Sequence, residues 1–173
     1  MTDIRTLIHA HAPGTHLDRP ALAALAREIG ERPELWRSFV RHDANERNFV
    51  QLYRDPSIDV WLICWDNAQD TGYHDHDQSC GAVYVCEGVL CEDSFFRDPD
   101  GWIREHTREH RAGGGFDFPP AHIHGVRHPG GAPASSIHVY SPALWRMGHY
   151  QYDVDGIMGR VSITYADELE ESA

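Results

Sequence analysis

A His-x-His pair, His74 and His76, is the part of this sequence with the clearest chemical meaning. Alternate residues of a β-strand point to the same face, so the two imidazoles can lie side by side. Neutral imidazole binds iron, zinc, copper and nickel. The pair also fits two solvent-facing histidines in a polar turn, and by itself it is weak evidence for a metal.

The bulk composition limits the kind of protein that carries this pair. The chain has 173 residues, of which 41% are hydrophobic and 13 are histidines, as expected of one globular domain rich in imidazole. A net charge of -12 argues against nucleic acid or an anionic membrane as a partner. Residues 1–10 hold no apolar run of signal-peptide length, and the cysteines lack CxxC spacing. We expect a cytoplasmic protein, a monomer or weak homodimer, that binds a small molecule.

Local patterns divide the chain into a helical start and a β-rich remainder. Residues 18–30 carry a polar cap, an early proline and apolar residues at helical spacing, and further short helices are expected at 4–10 and 33–40. The predicted organisation is one domain with a helical cap (1–44) on one end of a barrel (45–166), followed by an acidic, frayed tail (167–173). Strands are predicted at 59–65, 81–86, 89–96, 102–108, 135–140 and 160–165.

The spacing around the histidine pair resembles the two motifs of the cupin superfamily. Four residues separate His76 from Gly81, which occupies the position of the usual cupin glutamate ligand. Gly113 is followed by five residues and then Pro119, and His124 falls at the histidine of the second motif. The resemblance implies an all-β cupin barrel, a jelly-roll type β-sandwich, with His124 as the third ligand on a facing strand.

Loss of the carboxylate changes the charge of the site. Three histidines are neutral, so a bound ferrous ion keeps its full positive charge. Such a metal favours an anionic ligand such as a thiolate and leaves room for O2 beside it. Zinc with three histidines and a water molecule is the main competing interpretation.

Further segments resemble, in order, the cysteine dioxygenase family of thiol-oxidising cupins, over roughly residues 45–165. Cys64-Trp65 precedes the first ligand at the family's spacing, and Ser79 follows the pair. Residues 85–92 (VCEGVLCE) are similar to the family's LLxGxLxE segment, residues 136–142 (SIHVYSP) to SLHLYSP, and residues 47–50 (RNFV) to RNLV. Several motifs in order are a much stronger signal than a lone His-x-His.

The resemblance implies roles for particular side chains. Arg47 would hold a substrate carboxylate through two parallel charge-assisted hydrogen bonds, with Arg54 as the alternative. Ser136, His138 and Tyr140 alternate along one predicted strand, so all three can face inward. A hydrogen-bond relay along them would orient the Tyr140 hydroxyl towards the reacting atoms.

Two departures from the family bear on the substrate and on a covalent link. Asn45 stands where animal members carry a pocket tyrosine, which leaves the choice of substrate open, and Tyr73 is expected at the pocket mouth. Animal members also crosslink a cysteine to the tyrosine at the position of Tyr140. In this sequence, Gly81 stands at the position of that cysteine. The neighbouring Cys80 points to the opposite face of its strand. We predict that Cys80 is not crosslinked to Tyr140.

The remaining histidines receive simpler interpretations. His122 shares a strand face with His124 and is considered for the surroundings of the metal. His128 is expected near the rim, and His106 and His110 are expected to be solvent-exposed. A cis Ser141–Pro142 bond is an expectation from the family.

The resemblance therefore implies a non-haem Fe(2+) thiol dioxygenase that oxidises L-cysteine with O2 to cysteine sulfinic acid. Three alternatives stay open. The substrate could be another thiol such as a mercapto-carboxylic acid, the protein could be a non-catalytic cupin that binds a ligand or metal, or the metal could be zinc or nickel.

Overall fold

The computed structural model describes residues 3–11, 14–166 and 168. The helices within them are α1 (Ile4–His11) and α2 (Arg19–Gly30), and the helix predicted at 33–40 is wrong, because two 3-10 turns, Pro33–Leu35 and Arg37–Phe39, stand in its place. Of the predicted tail, residue 167 and residues 169–173 lie outside the described part. The strands are β1 (Phe49–Arg54), β2 (Asp59–Trp65), β3 (Tyr73–Asp75), β4 (Cys80–Glu87), β5 (Val89–Arg97), β6 (Ile103–Arg111), β7 (Gly115–Phe118), β8 (His124–Arg127), β9 (Ala134–Ser141), β10 (Arg146–Tyr152) and β11 (Met158–Tyr165).

The strands form two antiparallel sheets. One has five strands in the order β1-β2-β9-β4-β7, and the other has six in the order β11-β10-β3-β8-β5-β6. Val83 and Val85 of the first sheet and Leu90 and Val126 of the second share one buried cluster between them. The arrangement is the jelly-roll type β-sandwich that the sequence predicts.

The sequence of β2 is a nearly continuous apolar run because both faces of the strand are buried. Alternate residues of a strand face opposite sides of its sheet. Trp61 and Trp65 belong to the cluster between the sheets. Val60, Leu62 and Cys64 belong to a second cluster shared with the helices. Because both faces are buried, neither needs polar side chains.

Helix α2 covers the outer face of the five-stranded sheet. The Asp18 side chain accepts a hydrogen bond from the Ala21 N–H at 3.0 Å and begins the helix. Gly30 ends it against the Tyr84 ring, where a β-carbon would lie 2.2 Å from Cδ1. The helical segment therefore covers a sheet face and not an end of the barrel, contrary to the sequence prediction. The buried residues of α2 that share the outer cluster are Leu22, Leu25, Ala26 and Ile29.

Three strands, β3, β8 and β9, position the predicted ligands and the predicted relay. Strand β3 lies inside the six-stranded sheet, where His74 is paired with His124 of β8 and with His149 of β10. Strand β9 lies at the centre of the five-stranded sheet and is buried along its whole length. The predicted ligands and the predicted relay thus belong to different sheets that share one interior.

Candidate metal centre

Three buried histidines converge between the sheets. His74, His76 and His124 are 5%, 2% and 1% exposed. Their ring centroids are 4.7 Å (His74–His76), 4.9 Å (His74–His124) and 5.3 Å (His76–His124) apart. One ligand atom from each ring lies within 4.8 Å of the other two. The structure therefore brings together the three side chains that the sequence predicts as metal ligands.

The hydrogen bonds of two of these rings determine which nitrogen is available. His74 Nδ1 lies 3.1 Å from the Gly72 carbonyl oxygen, and His124 Nδ1 lies 3.0 Å from a Glu92 carboxylate oxygen. Since both partners are acceptors, each Nδ1 carries the proton of a neutral ring. Each Nε2 is then left with a lone pair, the state in which imidazole binds a metal.

Three of the four remaining ring nitrogens are buried and unpaired within the described residues. His76 Nδ1, His76 Nε2 and His124 Nε2 are buried without a hydrogen-bond partner. A buried polar atom without a partner is costly, and a metal ion would supply the missing interaction. Burial, helped by the neighbouring imidazoles, lowers the pKa values of His74 and His76 well below the usual value. The rings are neutral donors, and the set fits a divalent transition metal.

Glu92 of β5 supports the third ligand, a contact that the sequence did not reveal. Besides its bond to His124, its carboxylate lies 3.8 Å from His110 Nε2 and 3.8 Å from His122 Nε2. Burial acts to raise the Glu92 pKa, but the three imidazoles outweigh it and hold that pKa far below its usual range. A carboxylate that fixes a ligating histidine sets its tautomer and increases its basicity. Because Glu92, His122 and His124 also lie within ligand distance of one another, this second group shares His124 with the first.

The burial of the other histidines agrees with the sequence prediction at some positions and differs from it at others. His110 was expected to be exposed and is 8% exposed, because β6 turns it inward against the Phe116 ring at 4.7 Å. His106 is exposed, as predicted. His128, expected near the rim, is buried, with Nε2 2.9 Å from the Ala132 carbonyl oxygen. His122 is half-buried beside His124, at 5.3 Å between ring centroids.

Gly81 explains how the cupin carboxylate is replaced. It is paired with Phe118 across β4 and β7, and a β-carbon on it would lie 2.3 Å from Phe118 Cζ. The Phe118 ring fills that space and packs against His76 at 4.8 Å and His124 at 4.5 Å. An aromatic wall therefore occupies the side of the site from which a glutamate would reach the metal.

The predicted relay is present along β9. Trp65 Nε1 donates to Ser136 Oγ at 2.9 Å, and Ser136 Oγ lies 2.9 Å from His138 Nε2. His138 Nδ1 lies 3.4 Å from the Tyr140 hydroxyl. With the indole N–H already directed at it, the Ser136 hydroxyl can donate to Nε2, and the ring proton then sits on Nδ1 facing Tyr140. In this arrangement the Tyr140 hydrogen is free to point away from His138.

Burial keeps both titratable groups of the relay neutral. It lowers the pKa of His138 from 6.5 to about 3, with smaller contributions from His124 and Arg47. Burial and the nearby Asp59 raise the pKa of Tyr140 well above its usual value. Tyr140 is therefore a hydrogen-bond donor in the resting protein, and its ring lies 4.9 Å from that of His76.

These groups line one cavity of about 100 Å³. Its walls are mainly apolar, and they include Phe49, Ile63, Leu144 and Met147. Its polar edge is formed by the three candidate ligands, His138 and Tyr140 of the relay, Thr71, His149 and Arg47.

Arg47 brings positive charge to this cavity. Its Nη1 donates to the Asp70 carbonyl oxygen, and its guanidinium carbon lies 5.1 Å from the centre of the Trp65 ring. Its Nε is buried and has no partner among the described residues. Burial lowers the Arg47 pKa, although Asp70 opposes this. A guanidinium with an unpaired N–H, next to three neutral histidine ligands, is suited to binding a small anion.

A comparison with known protein families gives a match over most of the chain. The profile described as cysteine dioxygenase type I matches residues 2–153. The chain belongs to this family. The cysteine dioxygenase family contains metalloenzymes, in agreement with the buried donor set, and membership supports a dioxygenase-type activity on a thiol.

Solved structures similar to this cysteine dioxygenase family member carry the same fold. A cupin superfamily protein from Desulfitobacterium hafniense matches with a TM-score of 0.51 at 8% identity, over 61% of this chain and 86% of that one. A recombinant oxalate oxidase in complex with glycolate matches with a TM-score of 0.51 at 15% identity, over 62% of this chain and 56% of that one. Both likenesses show the cupin fold alone. No curated protein matches the chain.

Several substrate residues expected from the cysteine dioxygenase family lie away from the cavity. Arg54 forms an ion pair with buried Asp59 at 2.5 Å and donates to the Leu144 carbonyl oxygen at 2.8 Å, so Arg47 and not Arg54 lines the cavity. Asn45 is exposed and bonds to Asp43 in a turn. Asn45 is therefore not among the residues that line the cavity, although the resemblance places it at the position of a pocket tyrosine.

Tyr73 is also misplaced by the sequence prediction. It neighbours His74 in β3 and therefore points to the opposite face of the sheet. There its hydroxyl bonds to Glu105, and its ring packs against Phe95 at 5.1 Å. Tyr73 is not among the residues that line the cavity.

The residues relevant to a crosslink lie on opposite faces of β4. Gly81 is paired with Tyr140, while Cys80 is paired with Ser141 and its Sγ lies 3.1 Å from the Ser141 carbonyl oxygen. Absence of a Cys80–Tyr140 thioether stays a prediction, which the intact mass of the protein tests. The Ser141–Pro142 bond is cis, as expected from the family. None of the described helices is long and apolar enough to cross a membrane.

Proposed function

We propose that this protein holds Fe(2+) on His74, His76 and His124 and converts L-cysteine and O2 into cysteine sulfinic acid. The observation that carries the proposal is one cavity that joins buried, unpaired imidazole nitrogens with a tyrosine relay and a half-buried arginine whose Nε is unpaired. When bound, ferrous iron would lower the pKa of a thiol and activate O2.

The proposed reaction balances without a further reductant. The O–O bond breaks, two sulfur–oxygen bonds form, and the thiol RSH becomes the sulfinic acid RSO2H. Sulfur loses the four electrons that the two oxygen atoms gain. The thiol proton leaves when the thiolate forms and returns to the product.

The side chains of this protein bind, orient and shield the reactants. Arg47 binds the carboxylate and so fixes the distance from that group to the sulfur. Phe49, Ile63 and Leu144 keep the cavity apolar and exclude water. The Tyr140 O–H, with its orientation set by His138 Nδ1, donates a hydrogen bond to the reacting oxygen.

The proposal is tested by anaerobic loading with Fe(2+), followed by addition of L-cysteine and O2. We expect oxygen uptake equal to the cysteine consumed and a product whose mass shows two added oxygen atoms. Labelled O2 would place both labels in that product. The same protein loaded with Zn(2+) is the control and should take up no oxygen. No uptake with cysteine by the iron-loaded protein would reject cysteine as the substrate.

A mercapto-carboxylic acid without an amine is the second candidate substrate. The described residues that line the cavity include no aspartate or glutamate, so a substrate ammonium group finds no carboxylate there. Comparing 3-mercaptopropionate with cysteine under the same conditions ranks the two. A non-catalytic cupin would bind a thiol and take up no oxygen with either. Metal analysis of protein purified from its source tests iron against zinc and nickel.

A further inference from the structure

Trp61 carries an unusual donor on the wall of the same cavity. The side chain is 4% exposed, and its indole Nε1–H has no hydrogen-bond acceptor among the described residues. Two other deeply buried tryptophans differ in this respect: Trp36 Nε1 donates to the Gly30 carbonyl oxygen at 3.2 Å and Trp65 Nε1 to Ser136 Oγ at 2.9 Å. A buried indole normally finds an acceptor. The exception at Trp61 indicates that its acceptor arrives with a ligand.

The position of Trp61 in β2 places it beside the residues of the relay and the candidate metal site. It is paired across the sheet with His138 of the relay, and paired residues share a face, so both side chains point into the interior. Its ring packs edge-on against Phe49 at 5.8 Å. Trp61, Phe49 and Arg47 all line the cavity that contains the three candidate ligands.

The unpaired donors of this cavity fall into two kinds. The histidine nitrogens are accounted for by a metal. The other two unpaired atoms on the lining are N–H groups, Nε of Arg47 and Nε1 of Trp61. No aspartate or glutamate among the described lining residues supplies an acceptor, so the ligand has to bring one. A carboxylate has two oxygens with several lone pairs and can accept from both donors.

We propose that the indole N–H of Trp61 and the guanidinium of Arg47 together bind the carboxylate of the thiol substrate. Trp61 is then a specificity-determining residue that selects thiols bearing a carboxylate over neutral thiols of the same length. The inference rests on the proposed thiol-binding function and deepens it. It also gives the site a second donor where Asn45 turns away to Asp43.

Trp61→Phe tests the inference because it removes the N–H and keeps an aromatic ring. The affinity of iron-loaded protein is measured without O2 by calorimetry, for 3-mercaptopropionate and for its neutral analogue 3-mercaptopropan-1-ol. We expect the dissociation constant of 3-mercaptopropionate to rise about tenfold or more, as for loss of a hydrogen bond to a charged group. The constant for the alcohol should stay within about twofold of wild type.

Two further variants sharpen the result. Trp36→Phe removes a buried indole N–H in the segment that follows α2 and should leave both constants unchanged. Arg47→Gln combined with Trp61→Phe should weaken binding of the acid by a factor different from the product of the single effects, because both residues contact one group. The ratio of the two constants within each variant does not depend on the fraction of protein that is folded.

The outcomes separate this inference from the proposed function. An equal effect of Trp61→Phe on acid and alcohol, or no effect on either, overturns the role of Trp61. Wild-type protein that shows no preference for the acid overturns it as well. Selective loss of acid binding in a protein that takes up no oxygen supports the carboxylate site and rejects the dioxygenase activity.

Discussion

At the scale of single residues, the site depends on groups that do not touch the reactants. Glu92 accepts from His124 Nδ1 and so directs the Nε2 lone pair of that ring to the interior. Trp65 has a similar effect on the relay. Its N–H donates to Ser136 Oγ, so the serine hydroxyl hydrogen can be donated to His138 Nε2. In both cases, the hydrogen-bond partner of one atom determines whether a neighbouring atom carries a proton or a free lone pair.

Replacing Glu92 by glutamine should weaken metal binding. The amide can still accept from His124, but it carries no charge to increase the basicity of the ring. Loss of such a partner costs roughly 10- to 100-fold in metal affinity. Competition with a chelator measures it. Glu109→Gln, on an exposed face of β6, is the matched control. Equal affinities of Glu92→Gln and wild type would contradict the supporting role of Glu92.

Replacing Tyr140 by phenylalanine should reduce kcat and leave binding intact. The hydroxyl is the end of the relay, and a positioned proton donor contributes about 100-fold or more. Metal affinity and anaerobic thiol affinity should match wild type, since the ring and its packing on His76 are retained. Tyr53→Phe, whose hydroxyl bonds to Asp55 outside the cavity, serves as control. A kcat within about threefold of wild type would remove Tyr140 from the mechanism.

At the scale of elements, the sequence predicts those strands and helices whose burial follows from a local sequence pattern. It does not predict features that depend on which strands pair. His74 and His76 follow from strand alternation, His124 follows from the resemblance to the cupin motifs, and β2 follows from its unbroken apolar run. β10 was missed because Arg146–Tyr152 mixes inward Met147 and His149 with glycine and exposed polar residues. The burial of His110 depends on where β6 pairs with β5, which no local pattern contains. The same holds for the place of α2, which is decided by which sheet face is apolar.

Gly81 of β4 provides a test of how the strands pack around the candidate metal site. A β-carbon there would meet the Phe118 ring at 2.3 Å, closer than any ordinary contact. Gly81→Ala should therefore lower the free energy of unfolding by about 1–3 kcal/mol, as overpacking does. Denaturant unfolding of metal-free protein measures it.

A control and a rescue complete this test. Gly159→Ala is the control, because nothing lies within 4 Å of its β-carbon position. If the clash is the cause, Phe118→Leu in the Gly81→Ala background should recover part of the loss. A Gly81→Ala protein as stable as wild type would show that the strands adjust freely around Phe118.

At the scale of the whole molecule, the buried imidazoles of the candidate site contribute to the pH dependence of global stability. The native state holds His138 neutral, with a pKa lowered from 6.5 to about 3, chiefly by burial. An unfolded chain protonates the same ring near 6.5. Between these values the unfolded state binds more protons, so stability falls as the pH falls. The lowered pKa values of His74 and His76 act in the same direction.

This linkage predicts the slope of stability against pH for the metal-free protein. From about pH 6.5 towards pH 3 the free energy of unfolding should fall, and His138 contributes about 1.4 kcal/mol per pH unit while it stays neutral. His138→Gln should reduce that slope by about one proton. The slope comes from denaturant unfolding at several pH values. An unchanged slope in His138→Gln would mean that the native protein protonates this ring as readily as the unfolded chain does, and the relay would then be charged in mild acid.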